Sequence, residues 1–182
     1  MTRRLTLAVL PLALLVASLA ACAESARIPP PENSSAVEPL FASDEEALAA
    51  ATEAYEEYLA VLDSVLQAPR PLSSEFDGIA AGQALEDATS NVQQFLEEGL
   101  SITGPRSIGS VELQQLIASD REVEVIAYFC EDVNGVLLLD STGASLTTED
   151  RPDHAVFQVT VTMSTSTSIV VEREFWSNEV SC

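Results

Sequence analysis

The stretch SDEEALAAATEAYEEYLAVLDSVL, residues 43–66, decides how the rest of the chain is read. Ser43 followed by Glu46 is a capping box: the serine hydroxyl accepts from the Glu46 amide and the glutamate reaches back. Acids in the first turn suit the positive end of the helix dipole. Leu48, Ala51, Tyr55, Tyr58, Leu59, Leu62, Val65 and Leu66 then recur at steps of three and four, the period of an amphipathic helix. Pro69 ends it. The acids fall mostly off the apolar stripe, as on a solvated face.

Downstream, a loop over 68–73 leads to a second helical region. Ser74 with Asp77 predicts a short helix, Gly82 a break, and the stripe Leu85, Ala88, Val92, Phe95, Leu96 a longer helix with Gly99 as its C-terminal cap. After Gly99 the period changes from 3.6 to 2. Val123, Val125 and Ala127 alternate with Glu122, Glu124 and Ile126 and run on into Tyr128-Phe129-Cys130. Residues 136–139 continue extended, and Asp140 to Gly143 reads as a tight turn. Asn134-Gly135 reads as a second turn or a bulge. Residues 151–154, Arg151-Pro152-Asp153-His154, read as loop. Phe157, Val159, Val161 and Met163 form a half-buried strand, and Ile169 to Trp176 forms the last one. Helices first and strands afterwards predict an α+β domain with N-terminal helices packed on one face of an antiparallel sheet.

Upstream, Arg3-Arg4, an apolar run from Leu5 to Ser18, and Leu19-Ala20-Ala21-Cys22 have the layout of an export signal. The last four residues resemble the lipobox of bacterial lipoproteins. The resemblance implies a diacylglyceryl group on the Cys22 sulfur and cleavage before it. Thr6 stands where twin-arginine export wants a large apolar residue, so general secretion is favoured. An ordinary secretory signal and an uncleaved anchor are the other readings, although the run barely reaches the roughly 20 residues that span a bilayer. Two acyl chains would hold the domain firmly on the membrane. The expected organisation is a signal peptide over 1–21, a Pro/Ser-rich tether over 22–41 and an extracytoplasmic domain over 42–182. As a flexible coil the tether reaches roughly 25 Å.

Residues 1–21 hold two of the eight basic residues and none of the 29 acids, leaving six against 29, a formal charge of −23. Lysine is absent from the sequence. Such a surface repels phosphate backbones and anionic lipid, which excludes nucleic acid as a partner and makes the lipid anchor the membrane contact. With Cys22 acylated, Cys130 and Cys182 remain, and in an exported protein one disulfide is the economical reading, two separate thiols the other. Closing a loop of about 50 residues contributes on the order of 4 kcal/mol in the chain-entropy model.

The order of long helix, broken helix and curved sheet resembles the nuclear transport factor 2-like cone, and more narrowly small actinobacterial lipoproteins carrying that fold. The match rests on the lipobox, residues 43–48, Glu98-Gly99-Leu100 before Thr103-Gly104, Cys130-Glu131-Asp132-Val133 through Asp140 and Gly143, and Cys182. None of these motifs is catalytic. Enzymes of the cone fold place a carboxylate or histidine inside the open end of the sheet beside a tyrosine. Tyr55, Tyr58 and Tyr128 could line a cavity, although such spacings more often mark core. An enzyme reading would put Asp77, Asp87, Tyr55 or Tyr128 in the pocket, while His154 reads as a solvated loop residue. No nucleophile elbow, phosphate loop or zinc-spaced Cys/His cluster occurs. Asp132-x-Asn134-Gly135 resembles the start of a calcium loop, but its glycine comes two residues early and no closing glutamate follows, so a strand turn accounts for it better. No cofactor is implied. The favoured expectation is a non-catalytic domain that binds an envelope protein or a small apolar ligand. The alternative is a cone-fold isomerase or hydrolase.

Overall fold

The computed structural model describes residues 39–177. Helix α1 spans Asp44–Gln67 and α2 spans Gly82–Glu98. The strands are β1 Ser101–Thr103, β2 Ser107–Ala118, β3 Val123–Asp132, β4 Leu137–Leu139, β5 His154–Met163 and β6 Ser168–Ser177. Strands β2-β3-β5-β6 form a four-stranded sheet in that order, every pair antiparallel, and β1 pairs with β4 in a separate two-stranded sheet. Register shifts interrupt the β2–β3 and β5–β6 ladders at two places each. Each such bulge bends its strand and raises the local twist. The result is a curved antiparallel sheet with helices on its inner face.

The capping box forms as read: the Glu46 amide donates to Ser43 Oγ at 3.2 Å. The Glu46 carboxylate closes one residue further back than expected, accepting from the Ala42 amide at 2.7 Å. The apolar stripe of α1 is buried from Ala47 to Leu66. It packs against Val125, Ala127, Phe129, Val159 and Val161, all with no exposed surface, in one continuous core. Burying each valine or phenylalanine side chain of this set stabilises the fold by roughly 1.5–3 kcal/mol. Gly99 ends α2 in the left-handed region at φ 67°, its amide donating to the Phe95 carbonyl. Glycine adopts that conformation without a Cβ penalty.

Two expectations are corrected. The short helix predicted from Ser74 is a run of turns over residues 75–79. Gly78 takes φ +76°, which no helix accommodates, and the Ala81 amide is drawn to the Val170 carbonyl at the edge of β6, 3.0 Å away. His154 does not lie in a loop. It is the first residue of β5, directly opposite Asp132, because the long β3 ladder extends the pairing back over it.

Candidate functional site

Strand alternation places Val123, Val125, Ala127, Phe129 and Glu131 on the same inner face of β3. Glu131 therefore projects into the core, with 1% of its surface exposed. A buried carboxylate must be paired and hydrogen-bonded to be tolerated there. Three side chains from three different elements do this. The Tyr55 hydroxyl on α1 donates to Glu131 Oε1. Arg173 on β6 donates from Nη2 to the same oxygen at 2.7 Å, and from Nε to the Tyr55 hydroxyl at 2.7 Å. Arg106, in the turn before β2, donates from Nη1 to Oε2 at 2.9 Å.

Aromatic rings hold the cluster in place. Tyr55 stacks on Tyr58 with centroids 5.9 Å apart and meets Phe129 at 4.6 Å. The Arg173 guanidinium lies 3.4 Å from the Phe157 ring centroid, a cation–π contact. The Arg173 amide also donates to Gln83 Oε1 of α2 at 3.4 Å. One cluster thus touches both helices and three parts of the sheet.

The inner end is fully satisfied and the outer end is not. Asp63 Oδ1 lies 2.8 Å from Arg106 Nη2 but outside hydrogen-bond geometry, and Arg106 Nε has no hydrogen-bond partner among the described residues. A cleft of about 310 Å³ lies against this outer end, lined by Asp63, Arg106, Glu56, Leu59, Ser107 and Ile108. A second cleft of about 280 Å³ lies between the start of α1 and the β2–β3 hairpin, and Leu40, Phe41, Leu116 and Val123 help to line it.

The electrostatics follow from burial and pairing. Burial raises the Tyr55 phenol well above its ordinary pKa, against the pull of Arg173, so it stays a donor. Burial alone would lower the Arg173 guanidinium, but Tyr55 and Glu131 more than offset that and raise it. Asp63 is raised by burial, partly opposed by Arg106. Two carboxylates face two guanidiniums, so the cluster is electrically balanced.

That balance gives a testable pH dependence. A carboxyl whose folded-state pKa is raised binds its proton more tightly folded than unfolded, so its contribution to stability grows as pH falls through that range. Asp63 acts in this sense, whereas Glu75, held down to about 2 chiefly by the Ser73 amide, acts in the opposite one. A carbon-detected NMR titration should place the Asp63 midpoint above the ordinary 3.8. A midpoint at or below that value would contradict the burial argument.

Of the residues singled out from the sequence, the structure brings Tyr55 into the cluster and stacks Tyr58 beside it, its hydroxyl donating to the Ala84 carbonyl at 3.3 Å. Asp77 and Asp87 do not join them. Both are exposed, one in the turn before α2 and the other on its outer side. Tyr128 lies on the opposite face of the sheet, against Trp176 at 5.0 Å. Asp132 Oδ1 accepts from the Asn134 amide at 2.9 Å, an Asx turn closing β3. Among the described residues no group of three or more potential metal ligands is gathered. Cys130 is disulfide-bonded, and Cys22 and Cys182 lie outside the described residues.

Glu131, Arg173, Arg106 and Asp63 were missed from the sequence. For Glu131 the signal was there: the alternation from Val123 carries it inward if continued to 131. Arg173 had no such signal, because the bulge between Thr160 and Val161 shifts the phase of β6.

No protein-family model matches the sequence, and comparison with curated proteins finds no match. Among solved structures the chain is similar to the intermembrane-space region of the chloroplast protein ARC6. The identity is 12%, the match covers 71% of this chain and 96% of that one, and the TM-score is 0.51. At that identity the likeness speaks for the fold alone. The fold defines the class: an α+β domain, two helices on a curved, cone-like antiparallel sheet that does not close into a barrel.

Proposed function

We propose that the chain is a lipid-anchored lipoprotein of the cell envelope, held on the extracytoplasmic face of the membrane through Cys22, whose domain acts by binding rather than by catalysis. The fold is read as the nuclear transport factor 2-like cone. The observation that carries the binding role is the state of Glu131. Its two oxygens accept from Tyr55, Arg173 and Arg106, and 1% of its surface is open. A general base must reach the substrate's proton directly or through one water, and burial together with three protein donors closes this carboxylate off from both. This carboxylate serves instead as the centre of a structural network.

The address rests on the lipobox-like Leu19-Ala20-Ala21-Cys22 and is supported by the disulfide at Cys130, since disulfides persist in oxidising compartments. Cys182 is the proposed partner. Cys130 stands opposite Val156, and Val156 opposite Ser177. The chain therefore leaves β6 about two strand spacings, ~10 Å, from Cys130.

The enzyme reading keeps one observation in its favour, a carboxyl beside a tyrosine inside the sheet, although the carboxyl is Glu131 and not Asp77 or Asp87. Mass spectrometry of the native protein should show a diacylated N-terminal Cys22, and Cys22→Ser should move the domain from the membrane to the soluble fraction. An unacylated chain retaining residues 1–21 would overturn the address. Crosslinking in intact cells should recover a defined protein partner, or native mass spectrometry a bound apolar ligand. Finding neither would overturn the binding role, and turnover by the parent chain that is lost in Glu131→Gln while the variant keeps its native circular dichroism would favour the enzyme.

A further inference from the structure

The sheet has a second face, turned away from the helices. Direct cross-strand pairs put Ile117 beside Glu124, Glu112 beside Tyr128, and Glu174 across Gln158 from Tyr128. On the last strand Phe175 pairs with Phe157 and Ser177 with Val156, so Trp176 is the extra residue of a bulge. A bulge re-aims the side chain it carries. Here it sets the indole against Tyr128, with 58% of Trp176 still exposed. Ile117 is 45% exposed on the same face. Protein surfaces seldom expose a tryptophan packed against a tyrosine, with an isoleucine on the same face, without use for them.

The charges around this strip share one sign. Glu112, Glu124, Glu172 and Glu174 stand on the outer face by register. Four of the five arginines among the described residues are committed elsewhere. Arg106 and Arg173 are in the buried cluster, Arg70 pairs with Glu75, and Arg151 donates to the Val133 and Val136 carbonyls. Arg121 lies in the β2–β3 turn, at the end of the face. A second copy of this chain would bring the same acids to the contact, and an anionic lipid surface would be repelled likewise. A guanidinium or ammonium group gains twice, from the carboxylates and from the open faces of the Tyr128–Trp176 pair.

Resting on the binding role proposed above, we infer that the outer sheet face around Tyr128 and Trp176 docks an arginine- or lysine-rich segment of another protein. Trp176 is the single tryptophan in the sequence, so its emission reports this surface directly. A synthetic peptide of alternating arginine and leucine should change that emission saturably, while its glutamate–leucine counterpart should not. Glu112→Gln with Glu174→Gln should raise Kd about tenfold, the scale of removing two rim charges, with the melting temperature held. The matched pair Glu97→Gln with Glu98→Gln, exposed on α2, should change it less than about threefold, since its charges lie away from the face. Equal effects of the two pairs, or no emission change, overturn the surface.

A photoreactive residue at 117 in the anchored full chain should crosslink in cells to a basic segment of another protein. A partner caught through position 93 on α2 but not through 117, or a second copy caught through 117, overturns this surface and leaves the binding role standing. Capture at neither position, with no ligand in native mass spectrometry, removes both.

Discussion

Glu131→Gln is expected to lower the unfolding free energy by about 3–5 kcal/mol, the range for breaking a buried ion pair from one side. The substitution keeps shape and removes charge. Arg173 and Arg106, with 14% and 12% of their side chains exposed, are then left with Asp63 as the one nearby carboxylate of the cluster. Neither guanidinium sheds its proton, so the cost stays in the folded state. Arg173→Met should cost a similar amount by taking from the buried Glu131 one of its two guanidinium partners. Because both substitutions break one network, Glu131→Gln with Arg173→Met should cost less than their sum, by about 0.5–3 kcal/mol of coupling. Urea denaturation with unchanged slope checks all three. A loss below about 1 kcal/mol for Glu131→Gln would mean that the cluster is a by-product of the fold and not a support of it.

Gly104→Ala is expected to destabilise by about 3 kcal/mol or more, combining left-handed backbone strain with overpacking. Gly104 sits at φ +93°, and a Cβ there would fall 1.8 Å from the Gly135 carbonyl oxygen and 2.9 Å from its carbon. Both obstacles are backbone, so a side-chain rotation cannot relieve them. The turns at Gly104-Pro105 and Asn134-Gly135 can pack together because neither glycine carries a Cβ. Arg106 follows two residues after Gly104, so a displaced turn also pulls its guanidinium from Glu131. The effect should therefore be smaller in a Glu131→Gln background than in the parent chain. Full additivity, read from paired urea curves, would show that the turn and the ion cluster are independent.

Much of this molecule could be read locally. The capping box at Ser43, the α1 stripe, the Gly99 cap and the alternation of β3 and β5 each depend on residues within a turn or two of one another. Local sterics and hydrogen bonding set such features whatever surrounds them. The misreadings share an opposite cause. Ser74 and Asp77 had the makings of a helix start, but the edge of β6, ninety residues on, drew the backbone at Ala81 into a sheet bond. His154 was drawn into β5 by the ladder of β3.

The candidate site was legible at Tyr55, there as a cavity residue in place of a network donor, and at Glu131 through the alternation of β3, but not at its arginines. What the sequence by itself determined is the α+β order, the long helix, the strongly acidic surface and a lipobox-like start, since these follow from periodicity, charge and short motifs. What only the tertiary structure decided is the meeting of Tyr55, Arg106, Glu131 and Arg173, and the outward turn of Trp176. The physical reason is that bulges shift strand phase, and a buried charge finds its partners only once layers distant in the chain have packed.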